Sequence, residues 1–231
     1  MTTYSLNIDI DPAGLSAIYN SNQRVTLVKS VGSSPSNVAW ISFEPFGSNT
    51  VTWTENYLIY GTVASVQAGA AIVMTSQTAG PAQEGLLYTF GDGQFSGAPG
   101  GTPGSYDVQN QQGNGISFGL AQLATINGAG TLAPLNAVEV NMDEGASFIP
   151  IETVSVYLTS LENNGVVISR VAGNALVVTL DSQNPSASLG FDDKTNAFFI
   201  SGSGSTVTHA DLARRPGSGR RPQPLAAAAA R

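Results

Sequence analysis

The 231-residue chain has a single histidine, His209, and imidazole is the side chain that ordinarily titrates near neutral pH. No nucleophile and orienting acid can be grouped with it by spacing. With one histidine and no cysteine, a zinc site lacks its usual nitrogen and sulfur ligands. Carboxylates are better supplied. Asp9 and Asp11 are two apart, Asp143 adjoins Glu144, and Asp192 adjoins Asp193, pairs of the kind that bind calcium or cleave glycosidic bonds. Each pair also stands beside Pro, Gly or Asn at the end of an apolar run, where acidic residues cap helices and form turns, and we adopt that reading. No phosphate-binding glycine motif follows a strand and opens a helix.

Lys29 is the cation whose position asks for an explanation. In "RVTLVKSV", strand alternation places Val25, Leu27, Lys29 and Val31 on one face, so a core on that side receives an ammonium that must be paired or neutralised. The same alternation in "VTWTENYLI" groups Val51, Trp53, Glu55, Tyr57 and Ile59, so a buried Lys29–Glu55 pair is one solution, and a ligand that meets Lys29 through a carboxylate or a carbonyl is another. A bulge would return either charge to solvent. Residues 37–61 hold both tryptophans, and aromatic residues fall on both faces of the runs around Trp40, Phe46, Trp53 and Tyr57. Aromatic walls with a few polar groups describe a small-ligand site, and a packed core uses the same residues.

The elements that must carry these groups are strands. "YSLNIDI" alternates with period two, and a dozen further short apolar runs are separated by Gly, Asn, Asp and Pro. "DPAGLSAIYNSN" is the exception, with Asp11 placed as an N-cap and Pro12 at the first helical position. The Gly/Pro/Gln-rich stretch 91–115 is predicted as one long surface loop. The expectation is an all-β fold: an antiparallel β-sandwich with one short N-terminal helix, a single domain over residues 1–209, and a disordered, non-native tail over 210–231.

Charge narrows the partners. Residues 1–213 hold four Lys or Arg against sixteen Asp or Glu, a formal −12, which repels nucleic-acid backbones and anionic membranes. No run reaches the ~20 apolar residues of a membrane span, and "MTTYSLNIDI" has no basic and apolar leader pattern, so a cytoplasmic location is expected, with non-classical export left open. The absence of cysteine fits a reducing compartment.

The run "RVTLVKS…NVAWISFEPF…NTVTWTENYLIYGT", followed by "GLLYTF" and "ISFGLAQ", resembles a loose set of small fungal and bacterial β-proteins, among them mushroom chromoproteins that hold a pigment in a β fold. It is more distantly similar to actinoporin-like cytolysins and fungal fruit-body lectins, though it lacks the amphipathic N-terminal helix that actinoporins insert. The resemblance implies a bound organic chromophore or a glycan as partner. The leading expectation is a non-enzymatic binding protein for a small, partly apolar ligand, with Lys29, Trp40, Trp53, Glu55 and Tyr57 as the site. A carbohydrate-binding lectin using the 91–115 loop is the alternative, and a pore-forming cytolysin a third. A homo-oligomer is compatible with all three.

Overall fold

The computed structural model describes residues 2–32, 37–160 and 163–201, so His209 and the 210–231 segment lie outside the described residues. In chain order the first elements are β1 (Thr3–Asp9), α1 (Pro12–Asn20), β2 (Arg24–Val31), β3 (Ile41–Phe43), β4 (Ser48–Thr62) and β5 (Ser76–Gln77). They are followed by β6 (Leu86–Gly91), β7 (Gln94–Pro99), β8 (Tyr106–Asn110), β9 (Ile116–Ile126), β10 (Ala129–Pro134) and β11 (Val138–Val140). The last are β12 (Gly145–Phe148), β13 (Pro150–Thr159), β14 (Leu176–Thr179), β15 (Ser186–Asp192) and β16 (Ala197–Ile200).

These strands form three sheets. The largest runs β10-β9-β4-β1-β15-β16, with β11 also on β9 and β5 also on β4; the smaller two run β12-β8-β6-β7 and β14-β13-β2-β3. Most neighbours are antiparallel, while β1 with β15 and β6 with β8 are parallel. Leu6 and Phe118 of the large sheet, Tyr88 and Val108 of the second, and Leu27 and Val156 of the third belong to one buried apolar cluster. No helix among the described residues is long and apolar enough to cross a membrane.

Local chemistry accounts for several boundaries. Asp11 caps α1, its carboxylate accepting from the Gly14 N–H at 2.7 Å, and Pro12 occupies the first turn as expected. The paired acids go to the same kind of work: Asp192 accepts from the Lys194 N–H and the Thr195 hydroxyl, and Asp143 takes a positive φ of 62° in the turn before β12. Two-residue turns with positive φ at both positions, Asp92-Gly93 and Asn127-Gly128, close the β6–β7 and β9–β10 hairpins.

Two expectations are corrected. The stretch 91–115 is not one long loop, because it holds β7 and β8, and Tyr106 and Val108 of β8 enter the core. Gly93, Gly100 and Gly104 take positive φ in its turns, Gly97 lies within β7 opposite Tyr88, and pairing with β6 overrides the low strand propensity of the stretch. Conversely, two of the dozen apolar runs expected as strands, "AAIVMTS" and "GVVISRVA", are not full strands. Ala71 and Val166 meet at an isolated bridge, and Ile72 and Val167 build a second, smaller core with Tyr60 and Ala121 on the outer side of the large sheet.

Candidate functional site

The alternation of β2 holds through Lys29, which is fully buried between Leu27 and Val31. Its ammonium donates to Glu152 Oε1 at 2.8 Å, Gln122 Oε1 at 2.8 Å and Tyr57 Oη at 3.1 Å, so its three protons meet three acceptors. Tyr57 in turn donates to Glu152 Oε1 at 2.7 Å, and the Trp53 indole N–H donates to Glu152 Oε2 at 2.7 Å. Around the cation stand the rings of Trp40, Trp53 and Tyr57, with centroids 5.7, 5.6 and 5.1 Å from Nζ. Burial pulls the Lys29 ammonium down to about 8, against the opposing pull of Glu152. Burial, helped by the Glu152 charge, pushes the Tyr57 phenol well above its usual range.

Of the five expected site residues, the structure thus brings Lys29, Trp40, Trp53 and Tyr57 together and leaves Glu55 out. The partner of Lys29 is Glu152, and exposed Glu55 instead accepts from the Tyr4 hydroxyl. A bulge is the cause. Trp53 pairs with Ala124 and Tyr57 with Gln122, so four steps along β4 oppose two along β9, and the surplus residues turn Glu55 outward while both aromatic residues stay inside. A matching shift in β13, between Pro150 opposite Val31 and Val154 opposite Lys29, contains Glu152. Two bulges on different sheets thereby converge on one ammonium.

Sequence reasoning missed Glu152 and Gln122, although the signal was there. In "ISFGLAQLATI" Gln122 alternates with Phe118, Leu120 and Ala124, and in "PIETVSVYLT" Glu152 alternates with Val154, Val156 and Leu158. The test applied to Lys29 marks both as inward polar groups.

A different site lies at one end of the β14-β13-β2-β3 sheet. There a hollow of about 430 Å³ is lined by Tyr19, Asn22, Gln23, Arg24 and Glu44, together with Ser160 and Asn163. Strand pairing assembles it: Arg24 opposes Thr159 across β13, and Val25 opposes Phe43, which puts Glu44 just beyond the end of β3. The turn out of α1 supplies the rest. Asn22 takes a φ of 51°, a conformation asparagine tolerates, and the Asn22 and Gln23 N–H groups donate to Tyr19 and Ile18 carbonyls at 3.1 Å. Tyr19 is 45% exposed, and its hydroxyl donates to the Pro45 carbonyl at 2.5 Å, which fixes the ring at the rim.

The charges in this hollow are unspent. Among the described residues the one ion pair is Lys29 with Glu152, so Arg24 and Glu44 are bridged neither to each other nor to another side chain. The Arg24 Nε is buried without a hydrogen-bond partner. A buried donor left open costs about 1–3 kcal/mol. No group of three or more acidic or histidine side chains able to hold a metal occurs among the described residues.

A third hollow, about 300 Å³, lies on the outer side of the large sheet against Leu58, Pro81, Leu123 and Leu132, and it is apolar. Comparison with protein-family models, curated proteins and solved structures finds no match to the chain.

Proposed function

We propose that the protein is a non-enzymatic, carbohydrate-binding β-sandwich whose ligand enters the hollow between Tyr19, Arg24 and Glu44. The observation that carries this reading is the pair of opposite charges lining one hollow without a partner. A cationic ligand meets Arg24 and an anionic one meets Glu44, so neither sign suits the site. A neutral polyhydroxylated molecule suits both, because one hydroxyl oxygen accepts from the guanidinium while a neighbouring hydroxyl donates to the carboxylate. The Asn22, Gln23 and Asn163 amides extend the same logic, and the exposed Tyr19 ring offers an apolar face on which a sugar ring stacks. The volume falls in the usual range for small-ligand sites, roughly 300–1,000 Å³. Among the described residues Glu44 is the carboxylate that lines the hollow, and the reading takes it as a hydroxyl acceptor.

The Lys29 cluster has the opposite character. Its donors are matched by acceptors of the protein itself, so it supports packing specificity of the three sheets more readily than ligand capture. The sandwich arrangement in this proposal rests on the apolar cluster shared by all three sheets.

A glycan array is the test. Binding that free sugar competes away, and that Arg24→Ala and Glu44→Gln each reduce at least about tenfold, supports the reading; a blank array, or binding indifferent to both variants, rejects it. The reading of a small, partly apolar ligand keeps one supporting observation, the outer hollow at Leu58, Pro81, Leu123 and Leu132. An apolar fluorescent probe displaced by Leu123→Asp would favour it.

A further inference from the structure

Phe46 is 63% exposed, yet a buried side chain holds its backbone on both the N–H and the carbonyl. The side chain of Asn49, buried beneath it, accepts from the Phe46 N–H at 2.8 Å and donates to the Phe46 carbonyl at 2.7 Å. The same amide donates to the Ile8 carbonyl at 3.2 Å and accepts from Asn127 Nδ2 at 3.2 Å, which ties the clamp to β1 and to the β9–β10 turn. The Ile10 N–H then holds the next residue through the Gly47 carbonyl at 2.9 Å. One buried side chain is thus committed to fixing the main chain of a residue whose own ring gains little from burial. A free phenylalanine in solvent gains nothing from rigidity, whereas an apolar face offered to a partner does, because the ordering cost is met before binding.

Its position relative to the hollow is the second observation. Glu44 and Phe46 are both exposed, while Pro45 between them is buried. Their Cα atoms are at most about 7 Å apart, the reach of two extended residues. Pro45 is also the residue whose carbonyl anchors the Tyr19 hydroxyl. Two exposed aromatic residues, Tyr19 and Phe46, are therefore tied to the short segment that carries Glu44.

We propose that Phe46 is a second stacking platform of the same site, one sugar ring beyond the hollow, so that the ligand is an oligosaccharide of two or more residues rather than a single sugar. This rests on the carbohydrate reading above and adds to it a dependence on chain length. Aromatic stacking suits such a subsite because it tolerates differences in hydroxyl pattern, leaving selection to Arg24 and Glu44 in the hollow.

The experiment is titration calorimetry on the full chain with glucose, mannose and N-acetylglucosamine, each followed by its β-linked di-, tri- and tetrasaccharides. The expected result is a gain of about tenfold or more from mono- to disaccharide in the parent protein. Phe46→Ala removes that gain and keeps the monosaccharide affinity, while Phe46→Tyr retains both. A gain that survives Phe46→Ala, or equal affinity for mono- and disaccharide, overturns the inference and leaves the hollow as a single-sugar site. If none of these sugars binds, the carbohydrate reading fails and the second platform falls with it. Because Phe46 is exposed and its backbone is held by Asn49, the alanine variant keeps the fold, which an unchanged thermal transition verifies.

Discussion

Removing the carboxylate of Glu152 tests whether the Lys29 cluster holds the sheets together. In Glu152→Ala the ammonium loses its counter-ion, and the Trp53 indole and Tyr57 hydroxyl both lose their acceptor. The charge has an escape. With the lysine already drawn down to about 8, giving up its proton at pH 7 costs only on the order of 1 kcal/mol. The two stranded donors add about 1 kcal/mol each at the low end, appropriate here because the Glu152 side chain is 12% exposed and water enters once it is cut back. The total is about 3 kcal/mol, a large share of the roughly 5–15 kcal/mol that stabilises a folded domain. In urea unfolding, with a slope of about 2–3 kcal/mol per molar for a chain of this size, the midpoint should fall by about 1 M. Lys29→Met, which keeps the volume and leaves Glu152 with two donors and some solvent, should cost less. The double variant Lys29→Met with Glu152→Gln should recover much of the loss, because two neutral groups replace a buried pair. A Glu152→Ala midpoint within about 0.3 M of the parent, or a double variant that costs the sum of its parts, refutes this account.

The pH dependence carries two opposed signs. The folded Lys29 ionises at about 8 against an ordinary 10.5, so between those values the unfolded chain binds more protons and stability rises with pH; the rise should be absent in Lys29→Met. Above about pH 10 the direction reverses, because burial holds Tyr57, Tyr60 and Tyr4 protonated and pushes Tyr106 and Tyr157 up to about 12, while the unfolded chain releases those protons. Urea midpoints taken at unit intervals from about pH 7 to 11 should therefore pass through a maximum; a steady fall across the range contradicts the Lys29 assignment, and a rise that continues above about pH 10 contradicts the tyrosine one. Asp11→Ala removes the α1 cap and should lower stability by about 1 kcal/mol, read from the same unfolding curves, with Asp11→Asn nearly neutral. Gly119→Ala should cost more, about 1–3 kcal/mol, since a Cβ there collides with the Asn136 carbonyl oxygen that accepts from Tyr60. A soluble Gly119→Ala protein with an unchanged thermal transition would show that β9 and the 135–137 segment can move apart.

Much of this molecule was legible along the chain, and the reasons are local. Alternation over eight residues of β2 suffices to place Lys29 inward, Asp11 and Pro12 suffice for α1, and the spacing of turn residues suffices for a β-rich body with one helix. Each depends on neighbours in sequence, through the two-residue period of a strand or the orphan N–H groups of a first helical turn. What those patterns could not reveal was decided by pairing between distant strands. Glu55 and Glu152 are both acidic residues at alternating positions of apolar strands, and only the bulges, set by how β4 meets β9 and how β13 meets β2, send one outward and the other to Lys29. The polar hollow is still less visible from the chain, because Tyr19, Arg24, Glu44 and Asn163 share no motif or spacing. They become neighbours when β2 takes β3 on one side and β13 on the other, and the backbone hydrogen bonds that fix that order carry no mark of side-chain identity.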